Sequence, residues 1–165
     1  MKLSIRQIAF CAVIAAVYAA LTVAEAGFGS GQVQVRVAEA LCVLPFLMPI
    51  SMWGLFAGCI IANLVSGAGM LDVVFGSLAT LLAAFITSKI KIKWLTPLPA
   101  VICNTVIVGA VLSYAYYSRE QFFRGWLICG AGVGVGELIA CAALGIPLLL
   151  LLQRTDMLRK LGLHK

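Results

Sequence analysis

The run from Ile128 to Leu152 is apolar or glycine at every position except Glu137. A segment of about 17–25 apolar residues crosses a bilayer as a helix. A charged side chain at the bilayer centre costs about 2.5–3.5 kcal/mol on insertion scales, so it needs a partner or a function. Other apolar runs are interrupted in the same way. The interrupting residues are Arg36, Glu39, Asn63, Asp72 and Asn104.

Composition places most of the chain in the bilayer. The 165 residues are 63% hydrophobic and 11% charged, with a mean hydropathy of +1.10, which is too apolar for a soluble domain. We therefore predict an all-α integral membrane protein with one membrane domain over residues 1–165. The net charge of +6 does not indicate nucleic-acid binding, because the basic residues cluster at the ends of the apolar runs, as orientation signals do.

No motif indicates catalysis, a metal or a cofactor. The stretch GVGVGE ending at Glu137 follows no strand pattern, so its glycines are interpreted as helix-packing residues. The six cysteines lie in apolar segments without paired metal-ligand spacing and are expected to be buried free thiols. The only histidine, His164, is next to the C-terminus.

The apolar runs predict six membrane helices with both termini on one side. Their approximate ranges are Ile8–Ala26, Val35–Met48, Ile50–Ser66, Leu71–Thr87, Pro99–Tyr117 and Phe123–Leu152. The boundary around Pro49 is either a tight helical hairpin or a broken helix. The side of the termini carries Lys2, Arg6, Lys89, Lys91, Lys93, Arg154, Arg159, Lys160 and Lys165, and the other side carries Arg36, Arg119 and Arg124. The larger number of basic residues on the side of the termini predicts that this side faces the cytoplasm.

On this topology the polar groups occupy the outer half of the bundle. Asn104 and Glu137 lie about 20 Å along their helices from the outer ends, at about 1.5 Å per residue. Arg36, Glu39, Asn63 and Asp72 lie nearer the outside. This distribution predicts a polar cavity that is open outward and closed toward the cytoplasm. The glycine-rich outer loop Gly27–Gln34 carries Gln32 and Gln34 as candidate gating residues that reach a ligand.

Most of these residues also have a purely structural interpretation. Arg36 and Glu39 are three residues apart and can neutralise each other. Asp72 can be a favourable charge at a helix N-terminus, and Asn63 and Asn104 can hold helices together. Glu25 is expected to be solvated. Glu137 has no basic neighbour in its own helix, so a functional role is favoured for it.

Carboxylates and amides with little positive charge disfavour phosphates and most other anions. They suit a ligand that is rich in N–H donors or is a cation. A carboxylate accepts two parallel N–H bonds from a guanine-like edge, and an asparagine both donates and accepts.

Small residues recur every four positions in the first helix, at Ala12, Ala16 and Ala20. Such spacing lets another helix approach closely. From spacing alone, the approaching helix is either in the same bundle or in a membrane partner.

Several segments resemble a known family. AVIAAVYAALT resembles the alanine-repeat region of the substrate-binding S components of energy-coupling factor (ECF) transporters. The segments QVQVRVAEALCVLPFLMP, GLFAGCIIANL and especially LDVVFGSLATLLAAFIT resemble the QueT family, S components assigned to queuosine precursors. The similarity covers Ile8 to about Arg154.

The resemblance implies a six-helix S component in a prokaryotic cell membrane. Its partners would be a transmembrane coupling protein that docks on Ala12, Ala16 and Ala20, and two ABC ATPases. A queuosine precursor is a 7-deazaguanine, a nucleobase-like substrate whose donors suit Glu137, Asp72 and Glu39, with Asn104 and Asn63 adding hydrogen bonds. The alternatives are an S component for another vitamin, a proton-coupled exporter of cationic compounds that uses Glu137, and, less favoured, an intramembrane enzyme.

Overall fold

A computed structural model describes residues 4–26 and 36–155, and within these ranges the chain is helical, with no β-strand. The α-helices are α1 (Ile5–Ala26), α2 (Ser51–Val65), α3 (Ser77–Lys89), α4 (Leu98–Tyr116), α5 (Phe122–Ile139) and α6 (Ile146–Arg154). A 3₁₀ helix, Val37–Phe46, lies between α1 and α2. Short 3₁₀ turns, Lys93–Leu95 and Arg119–Gln121, precede α4 and α5.

Four segments are long and apolar enough to cross a membrane. These are Ile5–Glu25, Asp72–Lys89, Lys93–Tyr116 and Arg119–Arg154. Val37–Phe46 and Ser51–Val65 are apolar but shorter. Each segment coincides with one of the six predicted helices to within a few residues. The predicted start of the second helix, Val35, lies outside the described residues. The chain is therefore a multi-pass membrane protein by length and composition.

The second predicted helix differs in type from the expectation, because it is a 3₁₀ helix rather than an α-helix. Pro45 lies inside it and cannot donate a backbone hydrogen bond. A 3₁₀ helix rises about 2.0 Å per residue, so Val37–Phe46 covers more depth than an α-helix of the same length. The larger rise per residue compensates in part for the small number of residues in this helix.

The 3₁₀ helix runs antiparallel to α1. Tyr18 contacts Glu39, whereas Glu25, further along α1, contacts Val37 at the start of the 3₁₀ helix. By contrast, α2 runs parallel to α1, as the close contacts of two α2 glycines with the α1 backbone show. The chain therefore reverses direction around Pro49. The structure therefore favours the helical hairpin over the broken helix.

Glycines on α2 bring it against α1. A Cβ at Gly54 would lie 2.7 Å from the carbonyl oxygen of Cys11, and one at Gly58 would lie 2.9 Å from that of Ala15. Both contacts advance along the two helices together, so α1 and α2 are parallel. This is the close small-residue packing by which helices associate in lipid.

A second set of close contacts joins α4 to α5 in antiparallel order. A Cβ at Gly109 would lie 2.7 Å from Cα of Gly130, and one at Gly134 would lie 2.5 Å from Oγ1 of Thr105. Gly134 belongs to the GVGVGE stretch that ends at Glu137, and its interpretation as a helix-packing residue is confirmed. Gly130, one turn earlier, packs in the same way.

Two π-helical turns interrupt the regular helices next to predicted site residues. One, Asp72–Gly76, begins at Asp72 and leads into α3, and the other, Ala140–Gly145, follows Glu137 and joins α5 to α6. Single π-turns inside α-helices are often found at functional sites. Both turns change which side chains face the interior at the point where a carboxylate lies.

The six cysteines are free thiols. Cys42, Cys59, Cys103 and Cys141 are buried, as expected, whereas Cys11 and Cys129 are only half-buried. The buried thiols pack with small residues such as Ala62, Ala79, Ala83 and Ala84 in one core. A core of small side chains keeps the helix axes close together.

We predict that Gly58→Ala lowers stability by about 1–3 kcal/mol, the usual cost of overpacking. The new Cβ would lie 2.9 Å from both the Ala15 carbonyl oxygen and Cβ of Tyr18, and neither atom can swing away. Unfolding of detergent-purified protein measures the effect. Gly69→Ala is the matched control, since nothing lies within 4 Å of its Cβ. Equal stability of the two variants would contradict the tight α1–α2 contact.

Candidate functional site

A cavity of about 50 Å³ lies between α4, α5, the start of the 3₁₀ helix and the π-helical turn before α3. Its polar lining residues are Arg36, Asp72, Asn104 and Glu137. Its apolar lining residues are Val108, Leu112 and Val133. Four of the six residues predicted to bind a ligand therefore share one cavity.

Asn104 and Glu137 form the inner part of this site as a hydrogen-bonded pair. Both side chains are almost fully buried, at 2% and 3% exposure. Nδ2 of Asn104 donates to Oε1 of Glu137. The glycine contacts between α4 and α5 bring the two helices close enough for this bond. The pair satisfies one oxygen of Glu137 without a positive charge.

The same bond leaves Asn104 Oδ1 as an acceptor, and it has no hydrogen-bond partner among the described residues. Within the described part of the chain, the second oxygen of Glu137, Oε2, has only a weak thiol contact at 3.8 Å from Cys141 Sγ. Buried polar atoms are normally hydrogen-bonded. Two residues that line the cavity thus carry buried acceptors that are not fully satisfied.

Asp72 lies at the beginning of the π-helical turn and lines the cavity. Its Oδ1 atom is buried and, within the described residues, lacks a hydrogen-bond partner. A Cβ at Gly76 would lie 2.9 Å from this oxygen, so the glycine leaves room for the carboxylate. Asp72 is more than a favourable charge at a helix start, because it lines the cavity and carries a buried acceptor without a partner among the described residues.

Glu39 is placed behind the cavity rather than in its lining. It has 0% exposure and accepts hydrogen bonds from Tyr18 Oη at 2.5 Å and Cys42 Sγ at 2.9 Å. Its Oε1 lies 3.8 Å from Nε of Arg36. The structure therefore favours the pairing of Arg36 with Glu39 over direct ligand contact by Glu39.

Arg36 both pairs with Glu39 and lines the cavity. Its Nη2 donates to Oδ1 of Asn63 at 3.5 Å. Asn63 is buried, is not in the lining, and donates from Nδ2 to the carbonyl oxygen of Asp72 at 3.2 Å. Asn63 consequently links Arg36 to the backbone of Asp72 and holds these two lining residues side by side.

Sequence reasoning missed the supporting roles of Tyr18 and Glu25. Tyr18 is fully buried on the inner face of α1, a position that its spacing from the alanines implied. Glu25 was expected to be solvated, but its oxygens accept the backbone N–H of Val37 at 2.9 and 3.0 Å. Both residues fasten α1 to the 3₁₀ helix that follows Arg36. No sequence pattern identified the three apolar lining residues.

The remaining predicted residues lie away from this cavity or outside the described ranges. Gln32 and Gln34, the candidate gating residues, are outside the described residues. Ala12, Ala16 and Ala20 are exposed on the outer face of α1. Their stripe is therefore available to a partner or to lipid and does not form the contact with α2.

Among curated proteins and solved structures, none matches the chain. A family model described as QueT transporter matches residues 8–154. This range agrees with the resemblance seen in the sequence, and it indicates a transporter rather than an enzyme. Since the match covers nearly the whole chain, the protein belongs to the QueT transporter family.

Proposed function

We propose that the protein is the S component of an ECF-type ABC importer for a queuosine precursor. In this proposal all six helical segments cross or enter the membrane, with both termini in the cytoplasm. The cavity faces outward and captures a 7-deazaguanine. A transmembrane coupling protein and two ABC ATPases then drive its delivery into the cell.

The observation that carries this proposal is that residues lining the cavity of a QueT family member carry buried acceptors that are not satisfied. Asn104 Oδ1 and Asp72 Oδ1 lack partners among the described residues, and Glu137 lies beside them. The N–H edge of a guanine-like base supplies matching donors, and the Arg36 guanidinium supplies a donor for its carbonyl group. An analogue without these groups would leave the acceptors unpaired.

The direction of the helices supports the outward orientation. Asp72 begins the segment that ends at Lys89, so the cavity lies at the end of the bundle opposite Lys89, Lys91 and Lys93. The excess of basic residues at that opposite end marks the cytoplasmic side.

A nucleobase needs more room than the present cavity of about 50 Å³. Small-molecule sites usually measure about 300–1,000 Å³. Ligand capture therefore requires the apolar wall of Leu112 and Val133, or the elements that carry Arg36 and Asp72, to move apart. The π-turn at Asp72 and the 3₁₀ helix after Arg36 are less regular than the α4–α5 pair. We expect the movement at that side.

Calorimetry of the detergent-purified protein tests the substrate class. We expect tight binding of 7-deazaguanines and weak or no binding of thiamine and biotin. Guanine serves as the matched purine control, since it lacks a substituent at position 7. Tight binding of thiamine or biotin without binding of any deazaguanine would overturn the substrate assignment. Uptake that a protonophore abolishes in cells lacking the ATPases would instead favour the proton-coupled alternative.

We predict that Glu137→Gln lowers deazaguanine affinity by about 10- to 100-fold, because it replaces one of the two acceptor oxygens with an amide NH₂ group that cannot accept an N–H bond. The glutamine retains an oxygen that accepts from Asn104, so the fold should persist. Calorimetry measures the affinity, and thermal unfolding checks the fold. Glu120→Gln makes the same change at an exposed position and should bind normally. Unchanged affinity in a folded Glu137→Gln protein would remove Glu137 from the site.

We predict that Ala16→Trp leaves ligand binding intact and abolishes assembly with the coupling protein. Ala16 is exposed on α1, so an indole there fills the space that a close-packed partner helix would occupy. Co-purification with co-expressed coupling protein and ATPases measures assembly. Leu82→Trp places the same indole on the exposed side of α3 and serves as the control. Normal assembly of Ala16→Trp would contradict the assignment of the alanine stripe as a docking surface.

A further inference from the structure

The loop between α3 and α4 combines positive charge with exposed apolar surface. It alternates lysine with an apolar side chain, in the order Lys89, Ile90, Lys91, Ile92, Lys93 and Trp94. Lys89 and Lys91 are exposed, and so are Ile92 and Trp94, at 57% and 58%. Because burial of apolar surface is favourable, water alone is a poor environment for these two large side chains. The basic loop, defined as residues 89–95, therefore fits a surface that is both apolar and negatively charged.

The backbone keeps these two kinds of side chain apart. Ile90 and Ile92 are both extended, with ψ angles of 145° and 112°. Consecutive side chains of an extended segment point to opposite sides, so Lys91 points away from its two isoleucine neighbours. Thr96 fixes the loop to the bundle, because it is buried and donates from Oγ1 to the carbonyl oxygen of Lys93 at 2.7 Å. The basic loop is consequently amphipathic, and the fold sets its shape.

The apolar side of the basic loop continues the exposed surfaces of the two helices that it joins. Phe85 and Ile86 of α3 are exposed, as are Leu98 and Ile102 of α4, and both helices belong to membrane-spanning segments. Nζ of Lys89 lies 5.4 Å from the centroid of the Phe85 ring, so its charge is next to this surface. Lysines at helix ends hold their charge at the membrane interface in this way, and tryptophan is enriched at the same depth.

Within residues 4–26 and 36–155, no carboxylate neutralises the basic loop. The one ion pair in these ranges joins Arg36 to Glu39. The described acidic residues lie at the cavity, behind it, or at the helix ends opposite the basic loop, and they are Glu25, Glu39, Asp72, Glu120 and Glu137. The three lysines are therefore complementary to an external partner that brings negative charge.

We infer that the basic loop binds the head groups of anionic phospholipids, with Lys89, Lys91 and Lys93 at the phosphate groups and Ile92 and Trp94 in the adjoining chain region. An anionic phospholipid carries negative charge and hydrocarbon in one molecule, so it matches both sides of the loop, whereas a soluble anion matches the lysines alone. On the proposed topology the lipid belongs to the cytoplasmic leaflet, whose negative surface potential attracts lysines close to the membrane. The inference does not depend on which compound the cavity binds.

Trp94 can report directly on the lipid beside it. With Trp53→Phe and Trp126→Phe, it is the only one left of the three tryptophans. This variant is reconstituted in phosphatidylcholine vesicles with a small share of brominated phosphatidylglycerol or brominated phosphatidylcholine, whose bromine quenches tryptophan on contact. One lysine near an anionic surface contributes a factor of about 5, so we expect phosphatidylglycerol to bind beside Trp94 about 5-fold more tightly or better. Equal quenching by the two lipids would overturn the inference.

Removal of the lysine charges tests which residues attract the lipid. The combined variant Lys89→Gln, Lys91→Gln and Lys93→Gln should bring the lipid preference close to one. Arg119→Gln with Arg124→Gln removes exposed charges at the other end of the bundle and should leave the preference unchanged. A preference for phosphatidylglycerol that persists in the lysine variant would contradict the inference.

The protein with all its tryptophans provides a second measurement. In neutral detergent, short-chain phosphatidylglycerol should raise the unfolding temperature by about 2–4 °C more than short-chain phosphatidylcholine, and the lysine variant should lose this difference. Identical shifts with both lipids would overturn the inference. Co-purification with the coupling protein and the ATPases separates a lipid from a protein partner, and the lysine variant should assemble normally. Lost assembly with an unchanged lipid preference would make the basic loop a protein-docking surface instead.

Discussion

The buried carboxylate of Glu39 is the interaction on which the site depends. It has no exposed surface, so its charge is tolerated only because partners surround it. Tyr18 donates from α1, Cys42 donates from the next turn of the 3₁₀ helix, and the Arg36 guanidinium lies opposite. The thiol of Cys141 donates to the Glu39 backbone carbonyl from the π-turn before α6. One residue thereby joins the first, second and last helical segments and fixes the direction of Arg36.

Close helix packing without large side chains is the second condition for the cavity. The Asn104–Glu137 bond requires α4 and α5 to approach, and the contacts at Gly109 and Gly130 allow it. Helices in lipid gain little from burying apolar surface against each other, so backbone proximity and polar contacts hold the bundle. The same packing leaves Asn104 and Glu137 almost fully buried. A buried acceptor discriminates more sharply between matching and unmatched ligands than one that water can satisfy.

The position of each helix along the chain could be predicted from the sequence, whereas the contacts of the polar residues could not. Apolar runs and their interruptions located the helical segments and singled out Asn104 and Glu137 as polar residues within them. Depth does not give the direction in which a side chain points around its helix. Glu39 and Arg36 were equally plausible ligand residues, yet Arg36 lines the cavity and Glu39 lies behind it. The 3₁₀ and π geometry at these places shifts side chains away from the α-helical period, and the spacing alone carried no signal of that shift.

One face of α1 is exposed and the opposite face is buried, and the helical period assigns the alanines and Tyr18 to different faces. Tyr18 is two residues from Ala16 and from Ala20, which places it about 200° around the helix from each at 3.6 residues per turn. The alanines are accordingly exposed while Tyr18 is fully buried against Glu39. Glu25 adds a second connection through the backbone of Val37. If a partner bound to the outer face of α1 moves this helix, one of two things must follow. Either the 3₁₀ helix moves with α1, or the hydrogen bonds that orient Arg36 break. In both cases a contact on the alanine stripe would change the geometry of the cavity.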